Sequence, residues 1–310
     1  MTTADEADVT AGRRHHTEPM SREAWVLFVA MAVIWGTPYL FIKVVVGELP
    51  PVALVLGRTA LALVVLLPVS LARGALRPAI RDWRPALVFG VLEMGIPWLL
   101  LSHAEQRISS GLAGLLLASV PIIGAAVTAV LGDHHNIAPV RLAGMGVGVL
   151  GVVALVGVDT LGGDVDWLSV AELLVVATCY AVAPIVIDRQ GSSAPAAGTI
   201  TLAILFVAVA YLPFGLPPTI EAWPLQADTV GSLLALGLVC TALAFLLFFR
   251  LIATAGPVRA VVITFVNPVV AVALGLLLLD ETLTTGMLVG CPLVLLGSWL
   301  ATRPARAGAG

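Results

Sequence analysis

The chain has 310 residues, of which 59% are hydrophobic and only 11% charged, with a formal net charge of -3 and a mean hydropathy of +1.05. An ordinary soluble domain is roughly 45–50% apolar and about 25% charged, so a water-soluble globule is excluded, and no basic excess points to a nucleic-acid partner. The charges fall mostly in short breaks between apolar stretches of about 20 residues, the length that crosses a hydrocarbon core of roughly 30 Å.

Residues 1–23 are polar and have no apolar run after their arginines, which predicts a disordered cytoplasmic tail and not a cleaved signal peptide. Ten spans follow, at 24–46, 51–72, 85–103, 109–131, 139–158, 167–188, 197–216, 229–249, 257–279 and 285–302. Unpaired backbone groups in lipid cost several kcal/mol each, and the stretches lack the alternation of a membrane barrel, so every span is expected to be helical. The short connections leave no room for a soluble domain. Cys179, Cys240 and Cys291 stand alone in three different spans, which fits packing residues and neither a disulfide framework nor a metal site.

Within the spans, a few polar residues stand out in chain order. Trp35 and Tyr39 in the first span offer aromatic surface with polar tips, suited to closing over an organic solute. Lys43 lies near the end of that span, where its stem can snorkel to the interface. Arg58, about two turns into the second span, can hold a carboxylate through two hydrogen bonds or pair with an internal acid. Glu93 stands mid-span in the third stretch, flanked by Gly90 and Gly95 and followed by Pro97. A bare charge there costs a few kcal/mol, so it is expected to be protonated, paired or facing water, either as a proton or amine site or as a structural carboxyl.

Trp98 and, in the sixth span, Tyr180 add further aromatic surface. His103 is expected to pack at the interface, and Asn267, just before Pro268, either faces the cavity or bridges two helices. Asp133, Asp280 and Glu281, just past span ends, are expected to be solvated. Glycines such as Gly144, Gly148 and Gly151 permit close helix packing within one chain or in a homodimer.

Arginines mark the connections unequally. Arg73, Arg77, Arg81 and Arg84 follow span two, Arg141 span four, Arg189 span six, and Arg250 and Arg259 flank the connection after span eight, whereas Arg107 alone falls in an odd-numbered connection. The positive-inside rule then places both termini in the cytoplasm. The chain also repeats itself: "SSGLAGLLLASVP" leads into Pro121 as "GPVRAVVITFVNP" leads into Pro268, and "GMGVGVLG" (144–151) answers "GCPLVLLG" (290–297). Trp35 and Tyr180 occupy matching places, each with a proline shortly after. Two halves of five spans, 24–158 and 167–303, enter the membrane in opposite senses, an arrangement suited to alternating access. The prolines should break equivalent helices near Leu117 and Thr264, where freed carbonyls need protein or a watery cavity.

The stretches "WGTPYLFIKVVVGELPPVALVLGRTALALVVLL", "RISSGLAGLLLASVPIIGAAVTAVLGD" and "PVVAVALGLLLLDETLTTGMLVG" resemble the two EamA-type repeats of the drug/metabolite transporter superfamily. The resemblance implies an all-α, ten-helix inner-membrane carrier of two inverted repeats, usually an exporter of amino acids, related metabolites or toxic compounds. It departs from the family at "LGDHHN", where Asp133, His134 and His135 stand in place of the usual glutamate, while Glu281 is kept.

The expected function is therefore efflux of a small metabolite bound by Trp35, Tyr39, Arg58, Glu93, Trp98, Tyr180 and Asn267, with Glu93 as the proton-coupling residue. The partners are that solute and the lipid bilayer. Enzyme motifs are missing: there is no HExxH, no GxxxxGK[ST], and "LGGD" (161–164) misses the GxGD pattern of membrane aspartyl proteases. No cofactor or metal is expected. A non-transporting membrane enzyme or scaffold is the alternative.

Overall fold

A computed structural model describes residues 20–131, 139–160, 166–190, 194–256, 260 and 262–302. The described residues hold helices and no strand. Eight helices are long and apolar enough to cross a membrane, here α1 (Arg22–Val45), α2 (Pro51–Ala72), α3 (Trp83–Glu105), α4 (Ser110–Val130), α5 (Pro139–Thr160), α6 (Trp167–Gln190), α7 (Ala196–Glu221) and α8 (Ala227–Ala255). Two apolar helices, α9 (Ile263–Leu278) and α10 (Thr285–Ala301), are shorter, at about 24–26 Å for a rise of about 1.5 Å per residue. The expected ninth span began at 257, and most of its first turns fall outside the described residues. The expected sites Asp133, His134 and His135 lie outside them too.

Several ends differ from the sequence expectation. Helix α3 runs on to Glu105, two residues beyond the expected end at 103. Helix α7 continues to Glu221 with Pro213, Pro217 and Pro218 inside it. Apolar periodicity fixes where a helix passes through lipid, whereas its ends are set by capping and packing in the polar zone, which periodicity does not report.

The expected proline break in the fourth span is present. Helix α4 is interrupted after Leu117 and resumes at Val120, with Pro121 in its first turn. The Ala118 carbonyl freed there accepts a 2.6 Å hydrogen bond from the buried Ser298 hydroxyl of α10. Helix α1 breaks in the same way at Thr37, ahead of Pro38.

The principal packed pairs are related by exchange of the two halves. Helix α5 packs on its counterpart α10, α2 on α7 and α4 on α9; the α3–α6 and α3–α7 contacts are matched by α8–α1 and α8–α2. Both α3 and α8 carry a π-helical segment, Gly90–Gly95 and Ala235–Leu243. In each, a glycine abuts a helix of the other half: a Cβ on Gly90 would lie 3.0 Å from the Ala203 carbonyl, and one on Gly237 3.0 Å from the Arg58 carbonyl. Gly90 and Gly237 are 147 residues apart, as are Pro121 and Pro268.

The repeated glycines of α5 and α10 are used within the chain. A Cβ on Gly297 would lie 2.3 Å from the Gly148 nitrogen, and one on Gly151 2.5 Å from the Val294 nitrogen. Without a hydrophobic force between helices in lipid, such backbone approach is what holds a pair together.

Candidate functional site

The two π segments set up the centre of the molecule. Inside α8, the Thr241 hydroxyl donates to the Leu236 carbonyl five residues earlier (2.8 Å) and accepts from Arg58 Nε (2.9 Å). Arg58, 5% exposed, lies over Trp98 with its guanidinium carbon 3.7 Å from the ring centroid. The charge is thus held by a hydroxyl from the second half and an aromatic face from α3, an arrangement that favours a delocalised cation. The two terminal nitrogens make no hydrogen bond among the described residues and remain available as donors.

Glu93 sits on the π segment of α3, with Oε2 buried and lacking a hydrogen-bond partner among the described residues. The widened turn ends at Gly95, whose carbonyl accepts from the Tyr211 hydroxyl of α7 at 2.9 Å. Tyr180 of α6 lies within electrostatic reach of Glu93, Tyr39 and Arg58, and its hydroxyl neighbours Trp98. Five expected site residues, Tyr39, Arg58, Glu93, Trp98 and Tyr180, are therefore brought together from α1, α2, α3 and α6.

The other two lie elsewhere. Trp35 packs against Phe248 and Phe245 of α8, at centroid distances of 4.7 and 6.1 Å. Asn267, with its amide nitrogen turned to the acceptors beside it, donates to the Ala32 carbonyl at 3.1 Å and the Ile263 carbonyl at 2.9 Å. It ties α9 to α1, the bridging role of the two that its sequence position allows.

A second cluster clamps the end of the bundle where α3 turns into α4. Lys43 Nζ donates to the Glu105 and Ile108 carbonyls, at 2.6 and 2.8 Å. Arg107 pairs with Asp166 and, at 3.0 Å, with Glu172; Glu172 also meets His103 Nδ1 at 2.6 Å. The Ser169 hydroxyl joins Asp166 at 2.7 Å. The Ser169 bond, followed by Arg107, holds the Asp166 carboxyl below the usual aspartate range.

Glu281 completes the clamp from the α9–α10 connection. Its carboxylate accepts from Ser110 N at 2.6 Å, Ser110 Oγ at 2.8 Å and Gly111 N at 3.0 Å. Asp280 takes a left-handed conformation (φ 52°) that turns the chain back, and the Glu281 N–H returns to the Gly275 carbonyl at 3.1 Å. Two expectations are corrected here: Glu281 is bound and not solvated, and His103 is hydrogen-bonded to Glu172 beside Arg107 and not simply packed at the interface. Glu105, unnoticed in the sequence because α3 was expected to stop before it, is fully buried with neither carboxyl oxygen partnered.

Comparison with known proteins agrees with this architecture. The family described as the EamA-like transporter family matches residues 23–157 and again 167–303. An "uncharacterized transporter" of Archaeoglobus fulgidus is 26% identical over 90% of this chain and 98% of its own. The "uncharacterized inner membrane transporter YedA" of Escherichia coli K12 is 27% identical over 82% of each. A "probable amino-acid metabolite efflux pump" of Salmonella typhimurium is 24% identical over 91% of this chain and 95% of its own. A crystal structure of a protein 21% identical in sequence shares the fold with a TM-score of 0.61, over 90% of this chain and 96% of that one.

Proposed function

Because the chain belongs to the EamA-like transporter family, we propose that it is a multi-pass inner-membrane exporter of small zwitterionic or amphipathic metabolites working by alternating access. The observation that carries this reading is a held cation and an unpartnered carboxyl oxygen that both neighbour Tyr180. Arg58 is fixed by Thr241 and Trp98 with two donors unused, and Glu93 presents an unpartnered oxygen within the same group of residues. A solute bearing a carboxylate and an amine would satisfy both, with Tyr39 and Tyr180 covering its apolar part.

In this reading all ten apolar helices span the bilayer, as two inverted repeats of five (24–158 and 167–303), with both termini cytoplasmic. The clamp then lies on the external side. The π segments, each seated on a helix of the other half, are the elements that shift when the halves rock. Glu93 exchanges a proton in competition with the solute's amine, which couples export to the proton gradient. The name of the Salmonella relative supports amino-acid-like compounds as the class to try first.

Metabolites accumulated by cells with and without the protein, compared without preselection, name the solute. Saturable flux of that intact solute into sealed proteoliposomes supports the carrier; product formation without net movement supports a membrane enzyme instead. Orientation is tested by a single cysteine at Asp164 in a chain lacking Cys179, Cys240 and Cys291. Labelling from outside intact cells is expected, and labelling only after permeabilisation overturns the assignment.

A further inference from the structure

The α3–α4 turn is held at several backbone points, yet the acid inside it is left alone. The Ala104 carbonyl accepts from Ser169, the Glu105 and Ile108 carbonyls from Lys43, and Ser110 and Gly111 donate to Glu281. Under this cover Glu105 is 0% exposed, and neither of its carboxyl oxygens has a hydrogen-bond partner. Lys43, the nearest cation, bonds the residue's backbone carbonyl and makes no ion pair with its carboxylate.

A carboxylate in that position would be desolvated, unpaired and at the C-terminal end of α3, where the helix dipole disfavours negative charge. The groups facing it are Lys43 and Tyr39 from α1 and Glu281 from the α9–α10 connection. On the other side of α3, helix α6 directs Glu172 at Arg107 and His103, and the Arg58 of α2 faces Tyr39. Of these, Lys43 is the cation that faces the carboxyl, and it is engaged elsewhere while the turn is clamped.

We propose that Glu105 is a second proton-carrying carboxyl, held as the neutral acid while the α3–α4 turn is clamped and exchanging its proton with the aqueous phase at that end when the clamp opens. Opening frees the Lys43 ammonium from the two carbonyls, so that it can pair with the Glu105 carboxylate as the proton leaves. The reverse motion returns the proton from water before the turn closes. The site's purpose rests on the carrier reading, but its protonation does not.

Infrared spectroscopy of the full chain in lipid nanodiscs tests this with the proton itself as probe and no solute added. At neutral pH the wild type is expected to show a protonated-carboxyl component that is lost in Glu105→Gln and retained in Glu93→Gln, separate from the band of Glu93 itself. Should Glu105→Gln not fold, Glu105→Asp must shift the same band. In a chain carrying Glu281→Gln and Arg107→Gln, the Glu105 band is expected to disappear at neutral pH, because water reaches the acid. A spectrum without a Glu105-dependent band overturns the proposal, and so does a band that the clamp-breaking changes leave in place, which marks a buried structural acid. Neither result depends on flux, so it stands apart from failure of the carrier reading.

Discussion

Glu281 lies just past the end of α9, where a helix dipole disfavours an acid, and its carboxylate rests on Ser110, at the start of a helix from the other half. There the dipole favours it, and two backbone N–H groups that α4 cannot satisfy internally point at it, joined by the Ser110 hydroxyl. One side chain thus joins the two repeats at the end opposite to the arginine-rich connections.

Gly275 makes this contact sterically feasible. A Cβ added there would meet Glu281 Oε2 at 2.2 Å and Ser110 Oγ at 3.1 Å. Gly275→Ala is expected to displace the carboxylate and lower stability by about 1–3 kcal/mol. Glu281→Gln added to it should cost little more, because both changes break one interaction. Thermal unfolding of the two single variants and the double variant in detergent checks this; fully additive losses would contradict it.

The crossing of α5 and α10 predicts a harsher effect at Gly297. Its neighbours there are backbone atoms of Gly144 and Gly148, which cannot swing aside. Gly297→Ala must push the helices apart and is expected to destabilise by about 1–3 kcal/mol or more. Gly146, with nothing near its missing Cβ, should accept alanine without loss, so equal effects at the two glycines would contradict the packing.

Asp166 gives the clamp a pH signature. Its carboxyl titrates lower in the folded protein than in the unfolded chain, owing to Ser169 and then Arg107. Its contribution is therefore complete above the unfolded aspartate value of about 3.9 and is lost as pH falls through the lowered folded value. The melting-temperature difference between wild type and Asp166→Asn should be constant at neutral pH and shrink towards zero in acid. A difference unchanged down to the most acidic condition would remove Asp166 from the clamp.

Glu93→Gln keeps hydrogen-bonding capacity and so should keep the fold, but it cannot carry a proton. In proteoliposomes loaded with the identified solute, uphill flux should lose its dependence on the pH gradient. Exchange of labelled for unlabelled solute should persist. Unchanged pH-driven accumulation would make Glu93 a structural carboxyl.

The sequence made the helical membrane class and the repeat legible, because apolar length and the doubled proline and glycine spacings survive in any chain that packs this way. The break before Pro121 was legible for the same reason. The π segments were not: a π turn differs from an α turn by one residue of register, and the glycines that seat it look like ordinary small residues. Thr241, the hydroxyl that holds Arg58, carries no signal outside that geometry. Glu105 was missed because two extra helical residues decide between a solvated loop acid and a buried one.

The direct test of the central claim is initial solute flux in sealed proteoliposomes with Arg58 altered. Arg58→Lys keeps the charge but loses the Nε bond to Thr241 and the guanidinium contact with Trp98, and a charge-assisted hydrogen bond is worth about 1.5–3 kcal/mol. Flux at low solute concentration should fall by roughly 10- to 100-fold, with more lost in Arg58→Ala and protein levels unchanged. Wild-type flux in Arg58→Ala would contradict a solute site at the junction of the two halves.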